Sequence, residues 1–140
     1  MNKKFIISFI LLALMVATAA CSGNKDEAIF KVSGLADVSF NAQSLGSIDK
    51  VEVEYTEKDG SVATYSGFPL NEVFALAGVT DFSTVNMLAE DGYSAEVTVD
   101  ELTSCSECII ALDDDGNWRT VMPGFSGKQQ VKDLIELIIQ

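Results

Sequence analysis

The chain has 140 residues, of which 21 are acidic and nine are basic; it contains no histidine, and its formal net charge is −12. This acidic excess argues against the classes of protein that bind nucleic acid or anionic lipid through many lysines and arginines. The length predicts one domain with a hydrophobic core of its own.

The N-terminal stretch MNKKFIISFILLALMVATAAC has the regions of a secretory signal peptide. Lys3 and Lys4 precede an unbroken apolar run, and small residues lead up to Cys21. A cysteine at this place resembles that of bacterial lipoprotein signals, which implies that Cys21 is acylated and becomes the first mature residue. We therefore predict a lipoprotein signal peptide over 1–20 and an extracytoplasmic protein anchored to a bacterial membrane. An ordinary signal peptide or an uncleaved anchor is the alternative.

Residues 21–28 are polar and lack periodicity after the cysteine, which predicts a lipidated tether. Cleavage before Cys21 would leave seven of the nine basic residues and all 21 acidic residues, a net charge of −14. Folded structure is predicted over 29–140. There IFKVSGL indicates a first strand, and SIDKVEVEYTEKDGSVATYSG indicates a hairpin that turns at Asp59-Gly60. FPLNEVFALAGV indicates a helix with Pro69 in its first turn and Gly78 after its last.

The second half of the chain alternates between strand and turn signals. STVNMLAEDGYSAEVTV predicts two strands around Asp91-Gly92, and VDELTSC predicts one or two helical turns capped by Asp100. CIIALDDDGNWRTVMPG predicts two strands that end at Pro123, joined by an acidic turn rather than a calcium loop, because the late glutamate of such loops is missing. VKDLIELII predicts a final strand. The fold class is therefore a compact α+β domain with mixed sheets and few short helices.

Four segments in order resemble the molybdopterin-binding domain of the sulfite oxidase family. They are YSGFPLNEVFALAGV, AEDGYSAEVTVDEL, IIALDDDGNW and RTVMPGFSGKQQVKDLIELII, and the resemblance runs from about residue 51 to the end. It implies the sulfite oxidase fold at about half the size of the enzymes. It also implies that Arg119 and Lys132 match family positions around the pterin, while Gln129 replaces a phosphate-facing lysine.

The same resemblance places the molybdenum-ligating cysteine of the enzymes in the segment 51–55, where this chain has none. Thiolate is the direct protein bond to the metal, so its absence removes the anchor. The enzymes also use histidine and several arginines, whereas this chain has one arginine. We therefore predict no cofactor and favour a protein that is not an enzyme, while a molybdopterin-binding enzyme stays open as the alternative.

Cys105 and Cys108 are separated by two residues and precede a predicted strand. Redox pairs of this spacing sit at a helix N-terminus, whereas the neighbouring Glu101 and Glu107 disfavour a thiolate. A zinc site would need two further thiolate or imidazole ligands. A local disulfide is favoured, and reduced thiols or a redox pair are the alternatives.

A pocket at the place of the family cofactor is predicted to be lined by Tyr93, Trp118, Arg119, Met122, Phe125 and Lys132. The alternative is that aromatic residues such as Tyr93 and Phe125 belong to the core. The sequence thus predicts a non-catalytic module that recognises a small molecule or an envelope protein and binds no nucleic acid. A molybdopterin-dependent oxidoreductase and a thiol-redox accessory protein using Cys105 and Cys108 are the alternatives.

Overall fold

The computed structural model describes residues 27–140, so the predicted signal peptide and Cys21 lie outside the described residues. Nine strands, two short helices and one 3-10 turn follow one another in this part of the chain. In order they are β1 (Phe30–Ser33), β2 (Val38–Phe40), β3 (Val51–Thr56), β4 (Val62–Pro69), α1 (Leu70–Leu76), β5 (Thr84–Ala89), β6 (Ser94–Thr98), α2 (Val99–Thr103), β7 (Ile109–Leu112), β8 (Trp118–Val121), the 3-10 turn Gly127–Gln129, and β9 (Leu134–Ile139). Within 27–140, no helix is long and apolar enough to cross a membrane.

The strands form two sheets. One has the order β2-β1-β9-β5-β6, and the other has the order β3-β4-β7-β8. Three of the neighbouring pairs are the hairpins that the turn signals predicted, at Asp59-Gly60, at Asp91-Gly92 and at 113–116. The predicted α+β class with few short helices is confirmed.

The C-terminal segment is a strand, as its β-branched residues predicted, and it lies in the middle of the five-stranded sheet. β9 pairs in parallel with β1 and antiparallel with β5. Its residues Leu134, Leu137 and Ile139 are buried in the main core. Because β1 and β9 come from opposite ends of the described chain, this pairing closes the fold.

Both helices occur where they were predicted, with small differences at their starts. Pro69 lies one residue before α1 and is still the last residue of β4. The predicted cap of α2 was wrong, because Thr98 and not Asp100 occupies the N-cap position. The Thr98 side chain accepts a hydrogen bond from the Glu101 backbone, and the Glu101 carboxylate accepts one in return from the Thr98 N–H, a capping box.

Two hydrophobic clusters lie on the two faces of the four-stranded sheet. The main core fills the space between the sheets and includes Phe30, Phe68 and Trp118. A smaller cluster consists of Val53, Ile109, Ala111 and Val121, with Tyr55 and Tyr65 packed against it. Side chains alternate between faces along each strand, so β8 sends neighbouring residues to different environments.

Candidate functional site

A cleft of about 1060 Å³ opens where three segments of the chain meet. The β3–β4 turn contributes Glu57 and Lys58, the β5–β6 turn contributes Asp91 and Tyr93, and the segment 126–133 closes the remaining side. The side chain of Arg119, on β8, also lines the cleft. Turns on a two-sheet scaffold thus supply most of the wall, which is the usual arrangement for binding sites.

The cleft collects most of the positive charge in residues 27–140. Four of the six basic residues in this range line it, namely Lys58, Arg119, Lys128 and Lys132. Four of the twenty acidic residues do so as well, namely Glu57, Asp59, Asp91 and Asp133. The lining of the cleft is therefore formally neutral. The part of residues 27–140 outside the cleft has two basic and sixteen acidic residues, and so a net charge of −14. An anionic group would meet less repulsion here than over the rest of the domain.

Arg119 is the most buried charged group of the site, with 4% of its surface exposed. Its Nη1 donates a hydrogen bond to the Tyr65 hydroxyl at 2.8 Å, and its guanidinium carbon lies 4.4 Å from the centre of the Tyr65 ring. Its Nη2 lies 3.8 Å from Oε1 of Glu57, close enough for charge attraction but not for a hydrogen bond. Among residues 27–140, neither Nε nor Nη2 has a hydrogen-bond acceptor.

Tyr65 links Arg119 to the carboxylate of Glu57. Its hydroxyl donates a hydrogen bond of 2.5 Å to Oε1 of Glu57 while accepting the one from Arg119. Burial raises the pKa of Tyr65 because it disfavours the tyrosinate, and the hydrogen bond to Glu57 raises that pKa further, whereas the positive charge of Arg119 opposes the change.

We expect Tyr65 to ionise only above the ordinary tyrosine pKa of 10.0. The folded protein then holds this proton more tightly than the unfolded chain, so its contribution to stability is present below pH 10 and disappears as pH rises through the folded pKa. The measurement is the tyrosinate absorbance of the wild type minus that of Tyr65→Phe as a function of pH. A difference spectrum that develops at or below pH 10 would contradict the described environment.

Tyr93 joins two walls of the cleft. It is partly exposed, and its hydroxyl donates a hydrogen bond of 2.8 Å to the backbone carbonyl of Lys128. Its own N–H is held by the carboxylate of Asp91, so the β5–β6 turn and the 3-10 turn are connected across the cleft. Tyr93 contributes an aromatic ring to the lining of the cleft, and Lys128 contributes a cation.

The structure brings together three of the six predicted pocket residues. Tyr93, Arg119 and Lys132 line the cleft. Trp118 and Met122 do not, because both are fully buried in the main core. Trp118 precedes Arg119 on β8 and therefore points to the opposite face of the sheet. Phe125 lines a different cleft, beside the cysteine pair.

Sequence reasoning missed Glu57, Tyr65 and Tyr55 as parts of this site. Tyr55 lines the cleft directly, and Tyr65 lines a smaller neighbouring cleft of about 550 Å³ that shares Arg119 and Lys132 with it. The available signal was the alternation in the β3–β4 hairpin, which places these tyrosines on one face. Nothing local indicated that β8 would pack its arginine on that same face.

Cys105 lines a second cleft of about 770 Å³, whereas Cys108 is buried in the main core. The sulfurs of Cys105 and Cys108 are 2.03 Å apart, which is bonding distance and fits the predicted disulfide. Cys108 directly precedes β7, and its carbonyl accepts a hydrogen bond from the N–H of Leu70 at the start of α1. Carboxylates of Asp100, Glu101 and Glu107 line the same cleft. The bond thus lies at the start of a strand in an acidic environment.

Within residues 27–140, no group of three or more candidate metal-ligating side chains is placed to hold an ion.

The acidic turn after β7 is a hydrogen-bonded turn, as predicted. The side chain of Asp113 accepts hydrogen bonds from the N–H groups of Asp115 and Asn117, so its Oδ1 is engaged within the turn.

The donor set of the cleft does not fit a molybdenum cofactor. The β3 segment that corresponds to the metal-ligating part of the sulfite oxidase family contains no cysteine. Cys105 and Cys108 are bonded to each other and neither lines this cleft, and the sequence has no histidine. The first cleft therefore supplies cations and hydroxyl groups but no soft ligand for the metal.

Comparison with known proteins supports the fold alone. No protein-family model matches the chain, and no curated protein matches its sequence. Among solved structures, the chain is similar to the sulfane dehydrogenase SoxCD from Paracoccus pantotrophus, with a TM-score of 0.65 and 16% sequence identity over 80% of this chain. The chain spans 38% of the length of that neighbour. At this identity, activity does not follow from the likeness. The chain has the compact sulfite-oxidase-like fold that its sequence motifs implied.

Proposed function

We propose that this protein is a small-molecule binding module of sulfite-oxidase-like fold, held to the extracytoplasmic face of a bacterial membrane through lipid on Cys21. The observation that carries the proposal is the composition of the first cleft. It gathers four of the six cations of residues 27–140 beside two tyrosines, yet it contains neither thiolate nor imidazole. Such a wall can bind and orient a polar ligand, but it lacks the ligands that a molybdenum enzyme requires.

The shape of the site agrees with a small ligand rather than a protein partner. The cleft volume of about 1060 Å³ is slightly larger than the roughly 300–1000 Å³ that is usual for small-molecule pockets, so the cleft can enclose a small ligand. Tyr55 and Tyr93 provide aromatic surface, and the lysines at the rim can contact polar groups of the ligand. The strongly negative remainder of the domain would disfavour ligands with several negative charges.

The test is native mass spectrometry with elemental analysis on the full chain, produced in a bacterium that makes the molybdenum cofactor and extracted from its membranes with detergent. We expect a lipid-modified N-terminal cysteine, no stoichiometric molybdenum or pterin, and a small molecule retained after incubation with a low-molecular-weight cell extract. Stoichiometric molybdenum would overturn the proposal in favour of the oxidoreductase alternative. An unmodified Cys21 would overturn the anchoring.

A variant whose first cleft is filled by a larger side chain is the control for specific binding. A Cβ atom at Gly127 would meet only the flexible end of the Lys58 side chain, at 3.4 Å, so a side chain can start from this position without a clash with backbone. Gly127→Trp should therefore fill the first cleft and abolish retention of the small molecule. Ser104→Trp fills the second cleft and should leave retention unchanged. Retention lost in Ser104→Trp but kept in Gly127→Trp would place the binding site beside the disulfide and favour the thiol-redox alternative.

A further inference from the structure

Arg119 carries an unused hydrogen-bonding edge at the boundary of the cleft. Its Nε and Nη2 are buried and have no acceptor among residues 27–140. These two nitrogens lie on the same side of the guanidinium and form the fork that binds the two oxygens of a carboxylate in parallel. The third nitrogen, Nη1, is occupied by the Tyr65 hydroxyl. The free edge is thus complementary to one planar oxyanion.

Glu57 lies beside this edge without accepting a hydrogen bond from it. Its Oε1 lies 3.8 Å from Nη2 and accepts its hydrogen bond from Tyr65 instead. The backbone of Glu57 is fixed by hydrogen bonds within the β3–β4 turn, its N–H to the carbonyl of Ser61 and its carbonyl to the N–H of Gly60. Its side chain is a quarter exposed and lines the cleft. Rotation of this side chain would move its carboxylate away from Nη2 of Arg119 without moving the backbone of the turn.

We propose that the cleft recognises a small monocarboxylate, and that Glu57 is a built-in competitor which the ligand carboxylate displaces from Arg119. The inference rests on the proposed binding function and names its ligand class. After displacement, the ligand receives hydrogen bonds from Nε and Nη2 of Arg119, and the Tyr65 hydroxyl is free to donate a third. The buried guanidinium then gains the partners that it lacks in the described structure.

A carboxylate fits better than phosphate for two reasons. It replaces a carboxylate of the same size and charge, so the site already holds a group of this kind near Arg119. The domain around the cleft carries a net charge of −14 within residues 27–140, which penalises a dianion more than a monoanion. Lys132, which lines both clefts that meet at Arg119, is placed to attract the ligand during entry.

The test uses the fact that Arg119 is the sole arginine of the sequence. The nuclear magnetic resonance signal of its Nε–H group is therefore a single, assigned reporter of this edge. The full chain in detergent is titrated with acetate and, separately, with inorganic phosphate at constant ionic strength. We expect acetate to shift the Nε–H signal saturably and phosphate to shift it at higher concentrations only.

Glu57→Gln should raise the affinity for acetate by about tenfold, because it removes the negative charge that lies 3.8 Å from Nη2 and repels an incoming carboxylate. Glu54→Gln is the matched control. It removes the same charge from an exposed position on β3, outside the described clefts, and should leave the affinity within about twofold. Equal gains in both variants, no gain in either, or tighter binding of phosphate than of acetate would overturn the inference.

Arg119→Lys keeps the charge but loses the two-nitrogen fork, and should abolish acetate binding followed through backbone amide signals. Thermal unfolding shows whether the Arg119→Lys protein is folded. If it is not folded, the comparison of acetate affinity between Glu57→Gln and Glu54→Gln tests the inference. A retained small molecule that has no carboxylate, with no acetate response at Arg119, would refute this inference and leave the proposed function standing. Loss of retention as well would refute both.

Discussion

Replacement of Gly34 by alanine is expected to lower the free energy of unfolding by about 3–5 kcal/mol. Gly34 follows β1 and has a φ of +86°, a backbone conformation that side chains disfavour. A Cβ atom there would lie 2.0 Å from the backbone carbonyl oxygen of Ile139, at the end of β9. Backbone cannot yield as a side chain can, so the pairing of β1 with β9 must shift. Urea unfolding followed by the fluorescence of the single tryptophan measures the loss.

Gly60→Ala separates the two causes. Gly60 has nearly the same φ, +84°, in the turn between β3 and β4, but its Cβ would meet no atom within 4 Å. Its substitution should cost about 1 kcal/mol, the conformational part alone. Equal losses in the two variants would show that Gly34 does not touch β9 as described.

Replacement of Trp118 by alanine is the second large effect, with an expected loss of about 3–5 kcal/mol. The indole is 1% exposed, and its ring centre lies 5.0 Å from that of Phe30 and 6.3 Å from that of Phe68. Its Nε1 donates a hydrogen bond of 2.7 Å to the carbonyl of Ala28, which ties the start of the described chain to β8. Removal therefore leaves both a cavity and an unpaired carbonyl. Urea unfolding followed by circular dichroism measures the loss in the free energy of unfolding.

Two companion variants test whether Trp118 belongs to the core or to a ligand pocket. Trp118→Phe keeps most of the volume and loses the hydrogen bond, for a cost of about 1–2 kcal/mol. Tyr93→Ala, at the partly exposed wall of the cleft, should cost no more than about 1 kcal/mol. A Trp118→Ala variant as stable as Tyr93→Ala would contradict the core position of the indole.

The two candidate roles of the fold differ in what they require of the cleft. Molybdenum chemistry needs a thiolate, whereas the two described cysteines are bonded to each other and neither lines the first cleft. Ligand binding needs shape, charge and unsatisfied hydrogen-bond donors, which Arg119 supplies. The proposed function therefore depends on one buried cation and its neighbours, and not on the likeness in fold.

The sequence by itself determined the local structure. Asp-Gly pairs and the acidic turn after β7 placed the hairpins, because these residues adopt tight-turn conformations cheaply. Alternating apolar residues marked β3, and the β-branched finish marked β9. The lack of histidine and of a cysteine in β3 was likewise readable at once, since it concerns composition alone. The predicted Asp100 cap failed because Thr98, two residues earlier, also satisfies the N-terminal N–H groups of α2.

Tertiary structure alone decided which of the predicted pocket residues meet. Trp118 and Arg119 are neighbours in the sequence, yet one fills the core and the other lines the cleft, because successive strand residues point to opposite faces. The contact of Arg119 with Tyr65 and Glu57 joins residues more than fifty positions apart. Such contacts depend on the register of β4, β7 and β8, which is set by the packing of both sheets together. No periodicity within one segment can carry that information.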